Sequence, residues 1–256
     1  MILSAIEQLQ AILFAGFAVF VRVAAAMQFL PSFSSRAVPM RIRLVAAIFL
    51  TVLILPLIYA DLQVFSLTVD HGLRLLFSET LAGLTFGFAF YVMVSTLQIV
   101  GTMAAQSTSL AQIFGTAGVE PMPAIGHLLM VSGLALIAIS GFHTDIIGAF
   151  LISYEVWPAG VFVSGAELSD WAVSLVARGF GAAFSLAAPF VIASLIYNVA
   201  LGVINKAMPQ LMVAFVGAPA ITAGGLILLA LATPFILQVW WTVFSALLHQ
   251  PFLVPR

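Results

Sequence analysis

Glu79 is the acidic side chain set most deeply in an apolar segment, and Gly83 and Gly87 follow it at four-residue intervals. On a helix the three share one face. Gly83 and Gly87 form a GxxxG pair, a spacing that lets another backbone approach closely. A carboxylate at that depth is costly and by default marks a functional site; the chemistry it would serve is proton relay. The structural alternative is a carboxylate that caps a neighbouring helix, or one paired with Arg74 or with an arginine of another chain. Arg74 is five residues away, so pairing along the same helix is imperfect.

Other chemistry finds little support. His71, His127, His143 and His249 are scattered, with neither an HExxH motif nor a paired spacing, so no metal or other cofactor is expected. An intramembrane serine protease needs a nucleophile beside a base, and no Gly-x-Ser precedes a spanning histidine. An aspartyl protease of that kind needs two intramembrane aspartates, and every Asp lies in or beside a loop. Asn198 and Gln238 are single amides in apolar segments and read as interhelical hydrogen bonds. With no cysteine, disulfides and thiolate metal sites are excluded, and a net charge of −1 leaves no basic nucleic-acid footprint. The chain is not expected to be an enzyme.

The elements that must hold these residues belong in lipid. Of the 256 residues 63% are hydrophobic and 7% charged, against about 25% charged in a soluble domain, and the mean hydropathy is +1.22. Lipid leaves helices or closed barrels as spanning elements, and barrel strands alternate apolar with polar residues. Leu44–Tyr59 and Leu226–Leu237 are continuous apolar runs, so the fold is all-α and polytopic. Six hydrophobic segments are expected, near Ile6–Phe29, Leu44–Tyr59, Leu73–Val100, Ala124–Ser140, Ala172–Ile204 and Val213–Leu248. The last two exceed one simple crossing and hold Pro189, Pro219 and Pro234. Interior prolines kink or split a helix, so bent or broken helical hairpins are expected there. Met1–Phe20 has Glu7 and Gln10 where a signal peptide has Lys or Arg, so the first run reads as a retained span. Trp157, Trp171, Trp240 and Trp241 lie near run ends and read as interfacial anchors.

The loops divide by charge. Pro31–Arg43 carries Arg36, Arg41 and Arg43, and the turn near Asn205 carries Lys206; Ala60–Asp70 has Asp61 and Asp70, and Gly141–Asp170 has Asp145, Glu155, Glu167 and Asp170. The positive-inside rule places the first two in the cytoplasm and the others outside, so six simple crossings would put both termini outside. No internal repeat, linker or soluble domain is evident, and residues 1–256 read as a single membrane domain.

Gly101–Pro123 is the most unusual stretch. It holds Gln106, Ser107, Thr108, Ser109, Gln112, Gly115, Gly118 and Glu120, with Ile113 and Phe114 among them. That is too polar and glycine-rich for a lipid-facing helix and too apolar for an ordinary solvated loop. Non-helical backbone at membrane depth survives only when buried in protein or lining a cavity. The two readings are a re-entrant, pore-blocking plug and a small-residue loop joining two spans.

Taken in order, several segments resemble the FliR family of type III export-gate proteins, which includes the virulence-injectisome homologues. They are Pro31 with Val38-Pro39-Met40-Arg41-Ile42-Arg43, then Glu79 with Gly83 and Gly87, then Gly101, Gln106 and Glu120-Pro121, then Gly141-Phe142-His143 with Ser153 and Pro158 beyond. The most specific is Leu201-Gly202-Val203-Ile204-Asn205-Lys206-Ala207-Met208-Pro209-Gln210, followed by Val213, Phe215, Gly217 and Pro219. It is similar to the family's Gly…Arg-x-x-Pro-Gln segment and subsequent Gly-x-Pro. Lys206 stands where Arg is usual, keeping the charge, and Met212 where Asn is common.

The resemblance implies a non-enzymatic subunit of a secretion channel in the bacterial inner membrane, within the flagellar basal body. It would assemble with FliP-like and FliQ-like subunits, and with an FlhB-like subunit, into a helical pore for unfolded secreted substrates. Gln106–Glu120 would be the plug of the closed pore. Glu79, Gly83, Gly87, Gly202, Lys206, Pro209, Gln210, Gly217 and Pro219 would serve subunit packing. A small-solute secondary transporter is the alternative, with a midplane site built by the proline-broken helices; a scaffold without a pore role is a third.

Overall fold

The computed structural model describes residues 2–35, 38–62, 69–108, 124–208 and 213–252. Within them the chain is helical: α1 (Ile2–Ala26), α2 (Met40–Leu62), α3 (Val69–Thr108), α4 (Ala124–Ile139), α5 (Phe142–Val156), α6 (Gly165–Ala207) and α7 (Val213–His249). Five helices are long and apolar enough to cross a membrane, or six crossings if α4 and α5 form one broken span. The all-α polytopic architecture is as expected.

Two departures from the expected segmentation have clear causes. First, Gly141–Asp170 is mostly helical, because α5 occupies Phe142–Val156. Phe142, Ile146, Ala149, Phe150 and Ser153 form a buried stripe at helical spacing, while Asp145 and Glu155 lie on the exposed face. The acids mask an amphipathic pattern. Asp145 also sits in the first turn, where a negative charge suits the positive end of the helix. The break between α4 and α5 falls at Gly141, whose φ of 84° is in the left-handed region open to glycine. Second, Pro189, Pro219 and Pro234 lie inside continuous helices. α6 and α7 meet where the Tyr197 hydroxyl donates to the Gly217 carbonyl at 2.5 Å.

Local sequence sets the helix starts. Ser164 caps α6, its hydroxyl accepting the Glu167 N–H at 3.2 Å in a Ser-x-x-Glu capping spacing. Pro39 precedes α2, its carbonyl accepting the Ile42 and Arg43 amides. Hydroxyls along the apolar helices donate to their own i−4 carbonyls, as at Thr51, Thr80, Thr85 and Thr102, which removes an unpaired polar group from a non-aqueous setting.

Length constrains how these helices meet a bilayer. α3 has 40 residues, α6 43 and α7 37, so at 1.5 Å per residue they measure about 60, 65 and 55 Å. Each is roughly twice the ~30 Å hydrocarbon core.

The chain divides into two compact units. One comprises residues 1–92, 137–175 and 244–256, the other 93–136 and 176–243. In the first, α1 packs on α2 and α2 on α5, around an aromatic cluster in which Phe86 meets Phe90 (5.1 Å) and stacks on Phe150 (4.5 Å) and Phe90 meets Phe244 (5.7 Å). In the second, the Trp240 indole N–H donates to the Met93 carbonyl at 2.8 Å.

Candidate functional site: a buried charge cluster and the glycines beside it

The first unit holds a buried ion pair. Arg22 of α1 is 1% exposed and Glu79 of α3 is 0% exposed. The guanidinium grips the carboxylate with two parallel bonds, Nε to Oε2 at 2.8 Å and Nη2 to Oε1 at 3.1 Å. Nη1 also donates to the carbonyl and hydroxyl oxygens of Ser153, both at 3.2 Å, and Nη2 to the Trp157 carbonyl at 2.9 Å. A guanidinium has five N–H donors, and all five meet acceptors. The Tyr154 hydroxyl donates to Glu79 Oε2 and the Gly160 amide to Glu79 Oε1, each at 3.2 Å. The Tyr154 ring lies under the guanidinium carbon at 3.6 Å, an arrangement that adds cation–π attraction.

Sequence explains why these groups converge. The stripe that buries Phe150 puts Ser153 at the same level of α5, and the turn after it carries Gly160 with φ of 72°. That left-handed turn aims the Gly160 amide at Glu79. Gly83 and Gly87 then set the spacing of the two charged helices. A Cβ on Gly83 would collide with the Arg22 carbonyl and lie 2.9 Å from the Ala25 Cβ, and a Cβ on Gly87 would strike the backbone of Ala26. Only glycine lets α3 come this near α1.

Chemically, the cluster is closed. Each carboxylate oxygen accepts two hydrogen bonds and each guanidinium N–H is used, so no lone pair or donor is left to receive a proton or a substrate. Burying a charge this deep costs several kcal/mol unless pairing is complete, and here it is complete. The arrangement ties α1, α3, α5 and the 157–160 turn together.

Within the chain, the geometry gives Glu79 and the two glycines these partners. Glu79 pairs with Arg22 of its own chain, whereas Arg74 is exposed. Gly83 and Gly87 receive α1 at the points where a Cβ would stand. Arg22 itself escapes the sequence reading, although a signal exists. It is the sole charge between Glu7 and Arg36, and an arginine within a span needs an acid; Glu79 is the acid most deeply placed in an apolar segment.

The remaining expected residues fall elsewhere. Gly202 and Lys206 are exposed at the end of α6, with nothing within 4 Å of a Cβ built on Gly202. Gly217 is filled from its own unit by Tyr197 and Leu201, and Pro219 is exposed inside α7. Pro209 and Gln210 lie outside the described residues. So do Ser109, Gln112, Phe114, Gly115, Gly118 and Glu120. Gln106 and Ser107 instead lie in the last turn of α3, because the Ala104-Ala105 pair before them favours continued helix. In the second unit the α3–α4 crossing is again made by glycine: a Cβ on Gly101 would meet the Gly126 backbone, its nitrogen 2.5 Å away.

The family profile described as "Bacterial export proteins, family 1" matches residues 13–247. The Flagellar biosynthetic protein FliR of Caulobacter vibrioides is 30% identical over 232 residues, covering 90% of this chain and 92% of that protein. Its namesake in Bacillus subtilis is 29% identical, covering 89% of each chain, and that of Escherichia coli is 26% identical, covering 89% and 87%. The match takes in both compact units and every helix, and the chain belongs to the FliR family of bacterial export proteins.

Proposed function

We propose that the chain is a non-enzymatic subunit of the flagellar protein export gate in the bacterial inner membrane. It joins FliP-like and FliQ-like subunits, with an FlhB-like neighbour, around a pore for unfolded secreted proteins, and Gln106–Glu120 supplies a plug. The observation that carries this reading is unfinished packing on very long apolar helices. In the most apolar window of α6 only 11% is buried within the chain, and α6 and α7 each run about twice the hydrocarbon thickness. Helices of that length with that much apolar surface need covering beyond what one bilayer supplies, and an assembly of similar helices supplies it. The names of the relatives support the flagellar assignment.

The plug reading rests on composition: a glycine-rich, amide- and hydroxyl-bearing stretch follows α3, set between apolar helices. Its test is conductance. Deleting Ser109–Glu120 keeps α3 to its last turn, and the assembled complex should then pass small ions across a planar bilayer. Conductance equal to that of the intact complex would refute the plug. The transporter alternative gains nothing from the geometry, since the buried charge cluster offers no open donor or acceptor to a solute.

A further inference from the structure

The segment that follows α7 stays with the first unit, to which residues 244–256 belong. The Gln250 amide still donates to the Ala246 carbonyl at 3.1 Å. Pro251 has no N–H with which to continue the ladder; it is buried, and Phe252 after it is half-buried. The Phe252 ring meets three others: Trp157 at 5.8 Å, Trp171 at 6.0 Å and Phe86 at 6.3 Å. Those rings come from α3, from the residue that ends α5 and from the start of α6. Among the described residues no hydrogen bond holds Pro251 or Phe252, so their attachment is apolar packing alone.

One of the three rings belongs to the residue that closes the charge cluster. Trp157 is buried and makes three polar bonds of its own. Its amide donates to the Ser153 carbonyl at 3.0 Å, ending α5. Its indole N–H donates to the Val161 carbonyl at 2.7 Å, and its carbonyl accepts Arg22 Nη2 at 2.9 Å. Between Trp157 and Val161 lies Gly160, whose amide donates to Glu79 Oε1. The turn over the cluster is thus fastened at both ends through Trp157, and the Trp157 indole packs on Phe252. Phe86 in turn stacks on Phe150, one turn before Ser153 and Tyr154.

We propose that Phe252 is a detachable strap that holds the 157–161 turn shut over the Arg22–Glu79 pair. Seated, it fixes the Trp157 indole, which keeps the Gly160 amide on Glu79 and water out of the cluster. Unseated, it frees the turn, the Gly160 amide leaves, and the carboxylate gains access to water and protons. Detachment breaks no polar bond, since ring contacts hold the strap, each contributing about two- to tenfold in an equilibrium constant. Phe252 is a positioning residue: it bonds to neither charge and acts on both through Trp157. The strap works within the first unit, with or without other subunits bound.

Hydrogen–deuterium exchange of the full chain in mild detergent, read by mass spectrometry, tests the strap. The segment to follow is 157–161, where the amides of Trp157, Gly160 and Val161 are bonded. In Phe252→Ala its exchange should rise about tenfold or more, because local opening no longer has to unseat the ring. Exchange in α1 around Val19, buried in the same unit, should stay within about twofold, which separates a local opening from general loosening. Phe235→Ala, removing an exposed ring from the second unit's part of α7, should leave 157–161 unchanged. Phe252→Leu keeps apolar bulk without the ring and carries the same comparison if Phe252→Ala does not fold, with a smaller rise. In chain labelled with fluorotryptophan, Phe252→Leu should move the fluorine resonances of Trp157 and Trp171 and leave those of Trp240 and Trp241 in place. Unchanged exchange at 157–161 in both Phe252 variants, an equal rise in α1, or an unmoved Trp157 resonance would each overturn the proposal.

Discussion

The most apolar windows of α3 and α6 have similar character and opposite fates. In α3 56% of that window is buried within the chain, in α6 11%. α3 carries Glu79, Gly83 and Gly87, and each has a partner here: Arg22, the Arg22 carbonyl and Ala26. α6 carries Gly181 and Gly202, and neither has any atom within 4 Å of its missing Cβ. The same residue type thus marks a completed contact in one helix and an open one in the other. Sequence places a glycine on a face; only structure tells whether that face is already filled.

The largest effect should come from breaking the completed half. Glu79→Leu leaves Arg22 buried and unpaired, at a cost of about 3–5 kcal/mol. Thermal unfolding of the chain in detergent, without other subunits, should show it, and the double variant Arg22→Met/Glu79→Leu should recover most of the loss. Failure of the double variant to recover would mean that the charges do more than satisfy each other. Next, Gly87→Leu must push α1 away from α3, an overpacking cost of about 1–3 kcal/mol, again visible in the isolated chain. Tyr154→Phe removes one hydrogen bond to a carboxylate while keeping the ring under Arg22, and should cost about 1.5 kcal/mol. Gly202→Leu should leave the melting temperature of the isolated chain unchanged, because its surroundings are empty, yet reduce co-purification with the other gate subunits. If Gly202→Leu destabilises the isolated chain, the contrast between the two helices fails.

Much of the fold was legible because lipid permits so few backbone solutions. The continuous apolar runs required helices, and the six expected segments correspond to α1, α2, α3, α4, α6 and α7. α5 was hidden for an instructive reason. Asp145 and Glu155 suggested a solvated loop, although Phe142, Ile146, Ala149 and Phe150 have helical spacing; charge was weighed above periodicity. The charge cluster was half legible. Glu79 stood out as an acid in an apolar segment, but its partner is 57 residues away on another helix, and nothing local in sequence measures that distance. The family resemblance marks Ser153 without giving it a partner, and the roles of Ser153, Tyr154 and Gly160 were beyond reach, since they depend on how α5 and the turn after it pack against Glu79.

The proposed gate subunit calls for both features: paired buried charges that settle internal geometry, and long apolar helix surface that the chain itself leaves exposed.

The claim that α6 is finished by other subunits has a direct test. A photo-crosslinking amino acid placed at Ile196 or Val203, both more than 60% exposed on α6, can be activated in cells expressing the complete gate. The account predicts discrete crosslinked products containing another gate subunit, with none at buried Phe86. Lipid adducts alone at both α6 positions would contradict it.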